Sequence, residues 1–540
     1  MENTGQINMK FSQNQGRTRV SERHPIGAAA IRCLLALLLS SKALAADWPQ
    51  WCGTDGKNLV SAEKGLADSF VPGVKDTQGG AVKPGTTKNV KWARKLCQAI
   101  YSTPVVAGER IFVGGKRGDQ GLLMCMDERT GRLAWQWQGP AKYVPDTIDG
   151  WSIGISCNPR ELGVCSSPIV DGDRVYFVTH CFKIMCLDVK GQPAGPEAGK
   201  ARVLWTYDMW DKLGVFPCDA ANGSPLIDGD LLYVITSNGI DHNMDPYKEK
   251  NRKMPAPDAP NLIVLDKHTG RLLATDDTPI ARHMLHGQWS SPSLGKVDGR
   301  KLIFFGGGDG LCYAFEALSS VPDQPVKLKT VWSYDCNPPQ YKSFGNLDWV
   351  THYCLGDKRR PNGRNTKNDG TFVGMSTIIG TPVFYHNRIY VAIGRDPEHG
   401  RGHGALHCID ATKTGDITRT GKIWDYLGLD RTLSTVSIAD GLLYLSDVAG
   451  RLHCVDAETG RCYWVHETRS EVWGSTLVAD GKVFMPTHKG LFVLAAGKKK
   501  RVLGRIDLGA PLCASPVVAN GTLYLASKAG WMWAVRRDRP

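Results

Sequence analysis

One short pattern recurs eight times along this chain of 540 residues, and it decides the architecture before any single residue is weighed. Each copy opens on Ser or Thr, in six cases followed by Pro, and continues into an apolar stretch, a tight turn and an aliphatic or aromatic run. The openings are Thr103-Pro104, Ser167-Pro168, Ser224-Pro225, Ser291-Pro292, Thr381-Pro382, Ser434-Thr435, Ser475-Thr476 and Ser515-Pro516. The turns that follow include DGDR from Asp171, VDGR from Val297, ADGL from Ala439, ADGK from Ala479 and ANGT from Ala519. Asp-Gly and Asn-Gly between apolar alternations are strong hairpin signals, because both central residues tolerate positive φ. The repeat is therefore all-β.

The second half of the unit is clearest in CMDERTGRLAW, from Cys125 to Trp135, and CVDAETGRCYW, from Cys454 to Trp464. Asp, Gly and Trp recur there at fixed offsets: the Gly permits a turn that a side chain would strain, and the Trp brings a large apolar surface to the end of a fourth strand. Four antiparallel strands per unit, with openings about 40 residues apart toward the C-terminus, match the blade of a propeller. Eight units predict an eight-bladed β-propeller, whose terminal edges only ring closure protects. The eighth repeat ends at WMWAVRRD, from Trp531, without a fourth strand, whereas Asn89 to Leu96 precedes the first repeat as a spare one. The N-terminal segment is thus expected to complete the C-terminal blade, making one domain of residues 46–540.

Residues 1–45 read differently. Arg17, Arg19 and Arg23 precede an apolar stretch from Ile26 to Leu39, and Ala43-Leu44-Ala45 supplies the small residues of a cleavage site. This is the grammar of a secretory signal peptide, so the mature chain is expected to be exported, periplasmic or extracellular, with no transmembrane span. Six basic and two acidic residues leave with it, reducing the formal charge from +13 to about +9. The remaining basic clusters, Lys498 to Arg501 and Arg536 to Arg539, are not interleaved with aromatics, which argues against nucleic acid as a partner.

Of sixteen cysteines, Cys33 lies in the signal segment. Cys125, Cys186, Cys408 and Cys454 share one repeat position, occupied by Val264 and Ala314 in other copies, and so read as small core residues. Cys157 with Cys165, Cys181 with Cys218, and Cys336 with Cys354 lie on or near insertions and suit disulfides in an oxidising compartment. No CxxC zinc spacing and no CxxCH is present.

The small residue, Asp, Gly and Trp pattern resembles the PQQ-like (pyrroloquinoline quinone-like) repeat of bacterial eight-bladed propellers, a group that includes quinoprotein dehydrogenases and the propeller component of outer-membrane barrel assembly. The strings WPQW at Trp48, HGQWSSP at His286 and RDPEHGRGHGALHCID at Arg395 resemble exported members. The resemblance implies either a protein-binding scaffold or a dehydrogenase using PQQ with calcium. Quinoprotein alcohol dehydrogenases carry adjacent cysteines beneath the quinone, and no two cysteines are neighbours here. No catalytic or metal-ligand set can be assigned from the residues.

Loops between second and third strands, and those linking blades, emerge on one mouth of such a ring. The long additions 138–165, 208–222, 238–260, 276–289, 336–378 and 394–404 all belong to this class. They carry Asp241, His242, His286, Gln288, Trp289, Asp396, Glu398 and His399, which form the candidate ligand-binding set; carboxylates with imidazoles bind metals or move protons, and Trp289 and Trp473 suit stacking on a planar ligand. Three functions follow in order: a scaffold in the cell envelope binding a protein or other ligand, a PQQ- and calcium-dependent alcohol or sugar dehydrogenase, and a polysaccharide-binding accessory.

Overall fold

Eight small antiparallel sheets follow one another along the chain, and each has the strand order expected of a blade. The computed structural model describes residues 46–76, 81–140, 147–148, 151–152, 162–193, 195–216, 221–239, 255–284, 287–337, 371–372, 376–394 and 401–538. Blade 1 is typical: Val105–Ala107, Arg110–Arg117, Gln120–Asp127 and Leu133–Gln138 pair in sequence order. The fold is an all-β, eight-bladed propeller with almost no helix. Among the described residues no helix is long and apolar enough to cross a membrane.

The ring closes as the sequence predicts. Val90–Lys95 pairs antiparallel with Trp531–Val535 and becomes the fourth strand of the blade that begins at Val517. The first hairpin turns also follow their sequence. Asp298-Gly299, Asp440-Gly441, Asp480-Gly481 and Asn520-Gly521 have positive φ at both positions, the requirement of a type I′ turn. His386-Asn387 meets it without a glycine, at φ 51° and 59°.

The motif residues acquire a second purpose from their neighbours. Cys125 lies opposite Phe112 on one side and Trp135 on the other, and Cys408 between Tyr390 and Trp424 repeats the arrangement. A larger residue would push the two rings apart, so these buried thiols are core residues. Each Trp then reaches the following blade. Trp135 Nε1 donates to Val189 O at 2.9 Å, Trp205 to Lys267 O at 3.0 Å and Trp464 to Gly497 O at 2.9 Å. The motif glycine of the following blade lies beneath that indole: a Cβ on Gly191 would come within 2.5 Å of the Trp135 ring, and Gly191 also has φ 74°. Either reason alone demands glycine.

Insertions between third and fourth strands reach back to the preceding blade. Val326–Lys327 pairs with Leu272–Thr275, Gly415–Asp416 with Thr330–Asp335, and Lys200 bridges Gln136. Part of each outer edge, which would otherwise invite another chain, is thereby covered. Cys165, Cys181 and Cys336 are described as free thiols; the disulfides expected for them involve Cys157, Cys218 and Cys354, which lie outside the described residues.

Candidate functional site

Three repeat positions, counted from the opening hydroxyl, build the inside of the ring in layers. The hydroxyls come first. The backbone N–H of Ser167 donates to Ser224 Oγ at 3.0 Å, that of Ser224 to Ser291 Oγ at 2.9 Å and that of Thr381 to Thr435 Oγ1 at 3.0 Å. The sequence continues from Thr435 to Ser475 at 2.8 Å, Ser475 to Ser515 at 2.9 Å and Ser515 to Thr103 at 3.0 Å. Serine and threonine recur because a short side chain must present an acceptor to the preceding blade's main chain. This corrects one register: the sixth unit opens structurally on Thr435, not on Ser434, since Thr435 makes both ring contacts.

The position three residues after each hydroxyl forms the second layer, where an irregular segment from Trp48 to Ser61 occupies the channel. Val106 and Trp48 exchange backbone hydrogen bonds of 2.8 and 2.9 Å. Val170 N donates to Pro49 O at 2.9 Å, Leu294 N to Asp55 O at 2.9 Å, Phe384 N to Gly56 O at 3.0 Å and Val478 N to Leu59 O at 3.0 Å. The Asn58 side chain bonds both N and O of Ile438. Innermost strands of six blades thus find partners for groups that an empty channel would leave unpaired. Turning so tightly requires left-handed backbone at Cys52 and Lys57, each at φ 61°. Lys57 is fully buried, and Nζ donates to Gln50 Oε1 at 2.6 Å.

The third layer lies two residues before each hydroxyl. Tyr101, Cys165, Asn222, Trp289, Ile379, Leu433, Trp473 and Cys513 all occupy that position, and all eight line a well of about 560 Å³. Trp51 of the channel segment also lines it, with Lys116 from the end of the second strand of blade 1 and Lys528 from a hairpin turn of blade 8. Such a volume suits a small organic ligand or a few side chains of a partner. The strands place this well at the mouth where the long insertions emerge, as Leu162, Cys165, Asn222 and Trp289 belong to them.

One wall is strongly organised. Trp473 and Tyr101 stack with centroids 6.3 Å apart, and Lys528 Nζ lies 5.5 and 5.6 Å from the two rings. Burial works against the Lys528 charge, but the Tyr101 hydroxyl and nearby acidic groups outweigh it and hold the ammonium above its ordinary pKa. Trp473 Nε1 donates to Glu471 Oε1 at 2.7 Å. Cys513 Sγ lies 3.7 Å from His488 Nε2, and His488 Nδ1 lies 3.6 Å from Glu471 Oε2. That order of groups suggests a nucleophile with its base, but desolvation pushes the Cys513 thiol up to about 12 and holds His488 below its usual range. At neutral pH both are uncharged, which favours a contact surface over a reactive thiolate.

Of the eight candidate residues, Trp289 lines the well. Gln288, its neighbour, is buried in blade 3 and donates through Nε2 to Asn261 Oδ1 at 2.7 Å; it is not among the lining residues. Asp241, His242, His286, Asp396, Glu398 and His399 lie outside the described residues. Apart from Trp289 and Trp473, the lining layer was missed because its eight residues, of six types, share no chemistry; aligning the copies on their hydroxyls and reading two positions back would have found it.

The family model described as outer membrane protein assembly factor BamB matches residues 92–283 and 403–501, more than half of the chain. The chain belongs to that family. Among solved structures, BamB from Moraxella catarrhalis is 15% identical, with a TM-score of 0.50 over 83% of this chain and 97% of its own. A europium-containing methanol dehydrogenase is 13% identical, with a TM-score of 0.52 over 89% of each chain. The quinohemoprotein alcohol dehydrogenase ADHIIG from Pseudomonas putida HK5 is 12% identical, with a TM-score of 0.54 over 92% of this chain and 82% of its own. Identities this low establish a shared fold and no shared activity. No curated protein matches the chain.

Whether the described residues of this BamB-family propeller suit the quinone and calcium that the repeat's resemblance implies can be tested on the well itself. Calcium takes six to eight oxygen ligands, typically including carboxylates. No Asp or Glu is among the lining residues, and no group of three or more His, Cys, Asp or Glu among the described residues can hold a metal. The described lining does not fit a calcium-bound quinone.

Proposed function

We propose that this protein is an exported, noncatalytic propeller that binds a ligand or a protein of the cell envelope at the insertion-rich mouth of its ring. The observation that carries the reading is the well, where aromatic rings, eight hydroxyls and two lysines converge without a carboxylate among the lining residues. A concave surface with few convergent polar groups is the ordinary form of a binding site. On this reading Asp241, His242, His286, Asp396, Glu398 and His399 belong to its rim, since their insertions leave the ring on that side. The basic and apolar stretches of residues 1–45 support export, and the name of the family, an outer membrane protein assembly factor, supports a protein as the bound species.

The dehydrogenase reading is tested directly by adding PQQ, calcium, a dye acceptor and alcohols or sugars to the purified protein beginning at Ala46. No turnover is expected. Saturable dye reduction that requires both PQQ and calcium would reverse the order of the two readings. Fractionation of cells expressing the chain with and without residues 1–45 tests export: the full chain should leave the cytoplasm and the shortened one remain there.

A further inference from the structure

The eight residues of the lining layer are not distributed evenly around the ring. Blades 4, 5 and 6 contribute Trp289, Ile379 and Leu433, an apolar arc. Across the well, blades 8 and 1 contribute Lys528 and Lys116. Neither lysine has a carboxylate within ion-pairing distance among the described residues, in contrast to Lys267, which pairs with Asp171 at 2.7 Å. Lys528 is held over the Trp473 and Tyr101 rings at 5.6 and 5.5 Å, so its position is set by packing before any ligand arrives.

We infer that the well takes an amphiphilic organic anion, a compact aromatic or alicyclic body bearing one acidic head, with the head between Lys116 and Lys528 and the body against Trp289, Ile379 and Leu433. The inference rests on the proposed binding role and deepens it. Two cations that make no ion pair among the described residues attract an anion more strongly inside a recess that excludes part of the solvent than on an open face. The opposite arc removes apolar surface from water and has no charged group to repel it. A dianion has no second cationic pair to meet, and a wholly apolar molecule would leave the lysine side of the well without its counterion.

The test compares 2-naphthoate with the isosteric neutral 2-naphthamide, titrated into the purified protein and followed by calorimetry and tryptophan fluorescence. The acid is expected to bind at least tenfold more tightly than the amide. In the double variant Lys116→Gln with Lys528→Gln that preference should vanish, while the amide affinity stays within about twofold; an unchanged circular dichroism spectrum establishes that the ring is intact. Leu433→Asn, on the other arc, should weaken acid and amide alike. Equal affinity for the two probes, absence of binding by the acid, or a preference that survives in the double variant overturns the inference. These failures leave the noncatalytic reading untouched, because only turnover with PQQ and calcium opposes that.

Discussion

Trp51 Nε1 donates to Thr381 Oγ1 at 3.0 Å, joining the segment inside the channel to the ring of repeat hydroxyls. At six other positions of that ring a hydroxyl accepts from the main chain of the preceding blade, as Ser475 does from Thr435; Thr381 accepts from an indole. The floor of the well and its wall are therefore one hydrogen-bonded structure, and losses in the first should be felt in the second.

Two truncations separate plugging from closure. Removing residues 46–62 strips partners from the innermost strands but leaves Val90–Lys95 in the eighth blade. That protein should stay monomeric and melt at a clearly lower temperature. Removing residues 46–96 also deletes the closing strand, exposes an edge of Trp531–Val535 and should cause aggregation. Equal behaviour of the two in light scattering and thermal melts would contradict the division.

The closure is also stitched by one side chain. Trp92 Nε1 donates to Glu128 O at 3.0 Å, so the last blade grips the first as Trp464 grips its own neighbour. Trp92→Phe keeps most of the apolar surface and removes that hydrogen bond, leaving the carbonyl to Lys91 Nζ at 3.1 Å, a loss of about 1 kcal/mol. Urea denaturation should place Trp92→Phe and Trp464→Phe within a similar range; a far larger effect at Trp92 would mean that closure has an energetic role beyond the common stitch.

Where the sequence was legible, the physics repeats. Hairpins, the Cys125 and Cys454 core positions and the spare strand at Asn89 all answer to one local rule used again and again. The channel segment obeys no such rule: from Trp48 to Ser61 it bonds chiefly through its main chain, which no side-chain pattern reports. Gln288 was drawn toward a ligand by its polarity and its place in an insertion, yet its amide is engaged by Asn261. Leu433 and Ile379 drew no notice, because an aliphatic residue beside a strand reads as core until the register shows it facing a well.

Acid should act through His407. Its Nε2 donates to Cys336 O at 2.9 Å, and complete burial lowers its pKa from 6.5 to about 4. The unfolded chain then binds the proton first, so the contribution of neutral His407 is fully present above pH 6.5 and is lost as the pH falls toward 4. The shift corresponds to about 3 kcal/mol. His407→Gln, which retains a donor but does not titrate, should lose less stability than the wild type between pH 6.5 and 4 in chemical denaturation, and parallel curves would exclude the mechanism.

Lys57 supplies the opposite end of the pH scale. Burial lowers its pKa from 10.5 to about 8, against the opposing pull of Cys52 and Asp55, and its ammonium has the neutral Gln50 amide as its hydrogen-bond acceptor. The unfolded chain binds this proton more tightly, so folding is penalised below pH 8 and the penalty lifts as the pH rises from 8 toward 10.5. Its full size is about 3 kcal/mol. Lys57→Met keeps the length of the side chain and cannot charge, although it leaves Gln50 Oε1 without this donor. Buried tyrosines and thiols will ionise in both proteins at high pH, so the informative quantity is the difference between them. Chemical denaturation at pH 7, 8, 9 and 10 should show Lys57→Met gaining most relative to the wild type at pH 7, with the advantage shrinking steadily toward pH 10. A difference that is flat across this range would mean that Lys57 sits in the channel without bearing the cost of its burial.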